Sequence, residues 1–198
     1  MARPDPLDIR PVVLTGRLVQ LEPLSLGHVE GLCVHGLDPQ LWRWIPSSVG
    51  TAAEMRAYVE AALAEQARGL ALPFVIRDRG TGELVGNTRF GNISAADRRL
   101  EIGWTWVAAR HQRTGVNTEA KTLLLTHAFE TLGAHRVELK TDALNEKSRT
   151  AIARIGAVQE GIFRRHIVCA SGRVRDTVYF SIIDSEWPAV KARLAGMA

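Results

Sequence analysis

The chain has 198 residues, 46% of them hydrophobic and 23% charged, which fits one globular domain and excludes a mostly disordered chain. Its net charge of +4 comes from 21 arginines and only 4 lysines against 21 acidic residues; the arginines are scattered, whereas a nucleic-acid binder concentrates its charge on one element. Two cysteines, Cys33 and Cys169, are too few for a disulfide or zinc framework, so no metal site is expected.

No apolar run approaches the roughly 18 residues needed to cross a bilayer, and the first residues, Met1-Ala2-Arg3-Pro4-Asp5-Pro6, lack the apolar stretch of a secretory signal. The expectation is a cytoplasmic protein with neither a membrane nor a nucleic-acid partner. Pro4, Pro6 and Pro11 make residues 1–12 an extended arm ahead of a domain over 13–198. Leu18-Val19-Gln20-Leu21 reads as a strand closed by Pro23. A helix is expected from Ser25, a suitable N-cap, to His35. Residues 51–68 form a second helix: Thr51 and Glu54 have capping-box spacing, and Met55, Tyr58, Val59, Ala62 and Leu63 form a stripe at helical period. Three strands follow, Ala71–Asp78, Glu83–Phe90 and Leu100–Val107, joined by short turns as in an antiparallel meander.

A long helix is expected from Val116 to Leu132, stopped by Gly133. Val137–Thr141 is the next strand, and Lys147–Ile155 a shorter helix ended by Gly156. Val158–Val168 and Arg173–Ile183 form a hairpin around Ala170-Ser171-Gly172, and a final helix follows Ser185 with Pro188 in its first turn. The strand–helix–strand passage in the middle implies one parallel pair inside a mostly antiparallel sheet. The fold class is therefore α/β, a single mixed sheet with helices on both faces. No G-x-G-x-x-G is present, so it is not a Rossmann fold.

The segment with chemical content joins the third meander strand to the long helix: Gln112-Arg113-Thr114-Gly115-Val116-Asn117. A helix N-terminus offers unpaired N–H groups and a positive dipole end, and Gly115 lets a ligand approach the backbone, which together make a cradle for a diphosphate. The Gly-Lys-Ser/Thr ending of a nucleotide P-loop is missing. A phosphate-bearing cofactor without phosphoryl transfer fits better than ATP.

A Q/R-x-x-G-x-G/A loop between a strand and a helix resembles the acyl-CoA loop of the GNAT acetyltransferases. Leu100-Glu101-Ile102-Gly103-Trp104, Thr118-Glu119-Ala120, Ala128-Phe129-Glu130, Asn145-Glu146-Lys147-Ser148 and Gly156 to Gly161 extend the resemblance to the RimJ/RimL-like branch, over about Thr15 to Leu194. It implies the GNAT acyltransferase fold, acetyl-CoA as cofactor, and direct attack of an amine on the thioester in a ternary complex. It also points to a homodimer. One departure stands out: the last loop position is Asn117, where the family has Gly or Ala. Asn117 either crowds the diphosphate, or caps the helix and donates to a phosphate oxygen.

By the same resemblance, Thr105-Trp106-Val107 is the strand end whose backbone meets pantetheine and the developing oxyanion. Trp104 and Trp106 can equally be packing residues on one strand face. Gln112, Arg113, Thr114, Gly115, Val116 and Asn117 form the phosphate loop. Arg110, Arg113 and Lys147 are the cations within reach of the 3′-phosphate. Asn145 matches the asparagine that binds the pantetheine arm, and also stands where the next helix needs an N-cap. Many GNATs carry a tyrosine acid at the position of Ile152. Ser148 is the replacement expected in this branch, unless it is an ordinary first-turn serine.

Glu138 is the candidate base, an isolated carboxylate between Val137 and Leu139 whose alternative is a salt bridge to Arg136 or Lys140; Glu101 is a second candidate. His111 and His135 read as surface groups. Trp42, Trp44, Tyr58, Phe163, His166 and Asp176 are the expected acceptor wall. The acceptor is a protein N-terminal amine or a small-molecule amine, and a silent CoA-binding sensor is the remaining alternative.

Overall fold

The computed structural model describes residues 5–197. Strand β1 (Leu14–Thr15) and strand β2 (Val19–Pro23) lead into a helical layer of α1 (Val29–Gly36), α2 (Pro39–Trp42) and α3 (Ala52–Ala67). The meander is β3 (Leu72–Asp78), β4 (Leu84–Ser94) and β5 (Arg99–Val107). Helix α4 (Val116–Thr126) crosses over to β6 (Arg136–Asp142), and α5 (Glu146–Arg154), β7 (Val158–Val168), β8 (Val174–Ile183) and α6 (Trp187–Ala195) complete the chain. The strands form one sheet in the order β1-β2-β3-β4-β5-β6-β8-β7. Every neighbouring pair is antiparallel except β5–β6, the parallel pair expected from the crossover.

Strand alternation divides the apolar side chains between two cores. Phe74, Ile76, Leu100, Ile102, Val137, Leu139, Val178 and Phe180 pack on one face with Ala120 and Leu124 of α4, Ile152 of α5 and Val190 of α6. Val75 and Trp106 point the other way, into a second core with Leu32, Trp42, Met55, Tyr58 and Val59 from α1, α2 and α3. The sheet thus separates an α4 face from an α1–α3 face.

The elements follow the sequence reading with local differences. Helix α2 had no periodicity to reveal it, being only 4 residues long; its signal is Asp38-Pro39, where the Asp38 carboxylate accepts from the Gln40 N–H at 2.9 Å and Pro39 occupies the first turn. Strand β4 runs on to Ser94 because Gly91 and Ser94 still pair with Glu101 and Arg99. At α3, Thr51 Oγ1 accepts from Glu54 N–H at 3.2 Å, and Glu54 reaches back 2.7 Å to the N–H of Gly50, one residue before the expected box partner. Helix α4 ends in a π turn over His127–Thr131, and Gly133 terminates it at φ 65°. Leu7 is buried in the α4-face core and its N–H donates to Ala95 O at 3.1 Å.

Candidate active site

Strands β5 and β6 are paired only at Arg99–Arg136, Leu100–Val137 and Glu101–Glu138. Both continue past that point, β5 to Val107 and β6 to Asp142, so a wedge opens between them. The cause is local. Asn87 pairs with Trp106 and Arg89 with Gly103, which leaves Trp104 and Thr105 opposite the single residue Thr88. Such a β-bulge bends its strand and raises its twist, and Trp104 adopts φ 49° to make it. The Trp104 ring lies over Gly91, where a Cβ would meet it at 2.4 Å. On the opposite face Thr105 Oγ1 accepts from Lys121 Nζ at 2.7 Å and shares a hydrogen bond with Thr88 Oγ1 at 2.8 Å. Helix α4 thus grips the bulge through a buried lysine.

The bulge decides which backbone groups face the wedge. Ala108 N–H donates to Val85 O at 2.7 Å, and ladder alternation places the Trp106 backbone on β4 too. The Val107 carbonyl points away from β4 and accepts from Gln112 Nε2 at 3.0 Å. The Val107 N–H lies on that same side and is the strand-end donor offered to the wedge. Trp106 is therefore corrected: its backbone bonds β4 and its indole is buried against Trp42, with centroids 6.1 Å apart, in keeping with the packing alternative.

The loop after Val107 is held from both ends. Gln112 bridges the Val107 carbonyl and Lys147, whose Nζ stands 3.2 Å from Gln112 Oε1. This contact ties the start of α5 to the loop across the mouth of the wedge. Thr114 Oγ1 donates to His111 O at 2.7 Å. Arg113 adopts φ 65° and is exposed, with no ion pair among the described residues. Gly115, at φ 90°, is the N-cap of α4. Asn117 is therefore not the cap; it sits two residues inside the helix, and its buried Oδ1 has no hydrogen-bond partner among the described residues. Of the other cations proposed for phosphate, Arg110 is engaged by Glu83 and lies 3.3 Å from His35 Nε2.

Across the wedge, Asn145 Oδ1 accepts from Ser148 N–H at 3.1 Å, which makes it the N-cap of α5. The Ser148 hydroxyl has no hydrogen-bond partner among the described residues. Glu138 is not the isolated carboxylate the strand alternation suggested. It accepts from Arg136 Nε at 3.0 Å and lies 3.7 Å from Arg99. Arg136 also binds Glu160 and draws that carboxyl down to about 2. Glu101 is buried, held by Asn92 at 2.6 Å and Lys140 at 2.8 Å. His135 is exposed beside Asp184, as expected, but His111 is tucked 3.2 Å from Asp78 and burial lowers its pKa.

The family model described as "Acetyltransferase (GNAT) domain" matches residues 18–158, a span containing the bulge, the wedge and the loop. The chain belongs to the GNAT acetyltransferase family. This GNAT chain has relatives named as ribosomal N-acetyltransferases. It is 36% identical over 110 residues to the Bacillus subtilis (strain 168) protein named "Putative ribosomal N-acetyltransferase YdaF", covering 56% of this chain and 59% of that protein. The chain thus spans about three fifths of that relative's length. A GCN5-related N-acetyltransferase from Brucella melitensis superposes with a TM-score of 0.89 at 32% identity, covering 97% of this chain and 88% of the other. Mycobacterium smegmatis RimJ, solved in complex with CoA-disulfide, superposes at 0.82 with 28% identity over 94% and 95% of the two chains.

On the α1–α3 face of this GNAT sheet the expected wall is partly core. Trp42 is buried edge-on to Tyr58 at 5.1 Å, and the Tyr58 hydroxyl accepts from Asn87 Nδ2 at 3.0 Å. Trp44 instead lies under Arg43 and Arg173, at 4.8 and 5.6 Å. Phe163, His166 and Tyr179 do cluster, with Phe163–Tyr179 centroids 4.4 Å apart. Asp176 is used locally, accepting from Arg165 N–H at 2.6 Å. The sequence reading missed Lys121 and Tyr179, and took Lys140 only as the alternative partner of Glu138. Lys121 lay in a helical stripe of apolar residues as its one charged member, the signal that could have singled it out.

Proposed function

We propose that this protein transfers an acetyl group from acetyl-CoA to a primary amine, and that the amine is the α-amine of a protein N-terminus. The wedge carries the reading: two parallel strands part just where the Val107 N–H and the N-terminus of α4, which has no side-chain cap, stand near each other. The fit to CoA rests on features of this chain. Gly115 in the left-handed region exposes the first N–H groups of α4 as donors to a diphosphate. The family membership and the names of its relatives support the same chemistry.

In this reading Gln112 to Asn117 hold the diphosphate, with Arg113 and Lys147 as outer cations. Asn145 and the free edges of β5 and β6 hold the pantetheine arm. Bound acetyl-CoA supplies a thioester whose carbonyl carbon forms the new C–N bond as its C–S bond breaks. Val107 N–H is the preorganised donor for the carbonyl oxygen as it gathers charge. Ser148, with its hydroxyl unengaged among the described residues, donates a hydrogen bond to the departing sulfur, which leaves as its anion. Glu138 is occupied by ion pairs with Arg136 and Arg99, so the amine proton passes to water at the open face instead.

The test is thiol release from acetyl-CoA over a panel of N-terminal peptides and small amines, with the product located by mass spectrometry. Acetylation of a peptide α-amine is the expected result. Turnover of small amines alone would move the assignment to a small-molecule acetyltransferase, and CoA binding without any product would leave a sensor.

A further inference from the structure

Residues Lys140, Asp142, Arg175, Thr177 and Tyr179 all project on the α1–α3 face: Lys140 pairs with Tyr179 and Asp142 with Thr177, while the intervening Val178 and Phe180 enter the opposite core. On this face the charges near the mouth of the wedge pair off unevenly. Lys140 is matched by Glu101 at 2.8 Å. Arg173 is matched by Asp142, whose carboxylate also accepts from Leu144 N–H at 3.0 Å. Among the described residues Arg175 is matched by no carboxylate at hydrogen-bond distance. It is only 4% exposed, and its Nε and one terminal nitrogen bond neutral oxygens, Thr177 Oγ1 at 3.1 Å and Trp44 O at 3.2 Å.

The second terminal nitrogen of Arg175 has no protein partner among the described residues, and it is not among the polar atoms sealed from solvent. A buried guanidinium without a counter-ion is costly, and burial lowers the Arg175 pKa, opposed first by Asp142. The surroundings are positive in another sense too. Burial first, then Lys140 and Arg175, push His166 toward its neutral form. His166 stands against Phe163 and Tyr179, with centroids 5.3 and 5.7 Å away, at the rim of an open hollow of about 790 Å³. A planar fork with one free arm, the one unmatched charge among Lys140, Glu101, Arg173, Asp142 and Arg175, is a receptor for a carboxylate.

We propose that Arg175 binds a carboxylate of the acceptor, so that the amine acetylated here belongs to a molecule or chain end carrying a carboxylate a few bonds from that amine. The inference rests on the amine-acetylating reading above and narrows its acceptor. Two sources share the chemistry: a peptide that begins with an acidic side chain, and a free amino acid with its α-carboxylate. Trp44 supplies the carbonyl that orients Arg175 and so couples the helical layer to the β7–β8 hairpin around the ligand.

The experiment compares matched acceptors that differ only in charge: a peptide beginning with Glu against the same peptide beginning with Gln, and free amino acids against their amides. The wild-type protein is expected to favour the carboxylate member of at least one pair by about tenfold in kcat/KM, the size of one charge-assisted hydrogen bond. Whichever pair shows the preference identifies the source. Arg175→Met should erase the preference at unchanged affinity for CoA, and Arg175→Lys should keep part of it. Equal rates within both pairs, or a preference that survives Arg175→Met, would overturn the proposal.

Should Arg175→Met fail to fold, competition on the wild-type protein decides instead. Propionate is then expected to compete with the acceptor and propionamide not to; equal competition sinks the idea. Tryptophan fluorescence of the CoA-loaded protein, titrated with the Glu and Gln peptides, separates the two readings. Tighter binding of the Glu peptide without acetylation keeps the subsite and removes the transferase. Acetylation without discrimination does the reverse.

Discussion

Glu101 and Glu138 face each other at the last paired step of β5 and β6, and neither carboxylate is free. Glu101 is held by Asn92 and Lys140, and Glu138 by Arg136 and Arg99. Like charges at facing strand positions repel, so each needs its own cations. Together the two clusters close the strand seam just before the wedge opens. The arrangement makes Glu138 a fastener and a poor base. Glu138→Gln is expected to lower kcat/KM by less than about threefold, well short of the factor that general-base catalysis supplies, and to leave the pH profile in place. Loss of the acidic limb together with a fall of about a hundredfold would restore Glu138 as the base.

Lys121 gives the protein an unusual pH dependence of stability. Burial lowers its pKa from 10.5 to about 7, and Glu101 opposes the shift. The folded state therefore releases this proton near pH 7, while the unfolded chain keeps it to about pH 10.5. Between those values the unfolded state binds more protons, so stability from this group rises with pH; below pH 7 both states are protonated and the cost of burying the charge stands in full. Relative to Lys121→Met, the wild-type protein should gain up to about 1.4 kcal/mol per pH unit from pH 7 to 10. Urea unfolding of both proteins at three pH values measures it, and parallel curves would refute it.

The fold was legible where periodicity and stop signals agreed. The stripe from Met55 to Leu63, Gly133 after α4 and Gly156 after α5 each named an element that forms. The parallel pair followed from the crossover alone. The wedge was legible only through family resemblance, because its cause is a bulge at Trp104-Thr105, and a bulge depends on the register against β4 rather than on any local residue pattern. Partner choice was legible only along one strand: the alternative pairing of Glu138 with Arg136 forms. Arg99 comes to Glu138 from the neighbouring strand, and Arg175 meets Trp44, 131 positions earlier, only in the folded chain.

Gly115 and Asn117 separate backbone from side-chain contributions at the phosphate loop. Gly115 has φ 90°, and a Cβ there would come 3.2 Å from Leu18 Cδ1. Gly115→Ala should cost about 1–2 kcal/mol of stability through the left-handed backbone and weaken CoA binding by about tenfold if the first turn of α4 tilts. Asn117→Ala leaves the helix N–H groups where they are, so CoA affinity should change by less than about threefold. Calorimetric titration of CoA into both variants checks the contrast; a larger loss from Asn117→Ala would show that the carboxamide, not the helix end, holds the phosphate.

Asn145 caps α5 and Ser148 stands three residues on, in its first turn, yet truncating them should give different signatures. Asn145 carries the cap of α5, so Asn145→Ala is expected to cost about 1 kcal/mol of stability and to raise the KM for acetyl-CoA. Among the described residues the Ser148 hydroxyl holds nothing, while its backbone N–H makes the cap bond. Ser148→Ala should therefore leave unfolding unchanged, since the cap bond survives the loss of the hydroxyl. Its effect belongs in kcat, a decrease of about tenfold. That is smaller than general-acid catalysis usually supplies, because a thiol with a pKa near 8.5 departs readily as its anion. Raising the pH does not rescue the variant if the lost group donated a hydrogen bond to sulfur. Steady-state rates from pH 6 to 9, set beside urea unfolding of the same samples, read both effects. A Ser148→Ala protein with wild-type kcat would leave the thiolate to solvent and make Ser148 an ordinary first-turn residue.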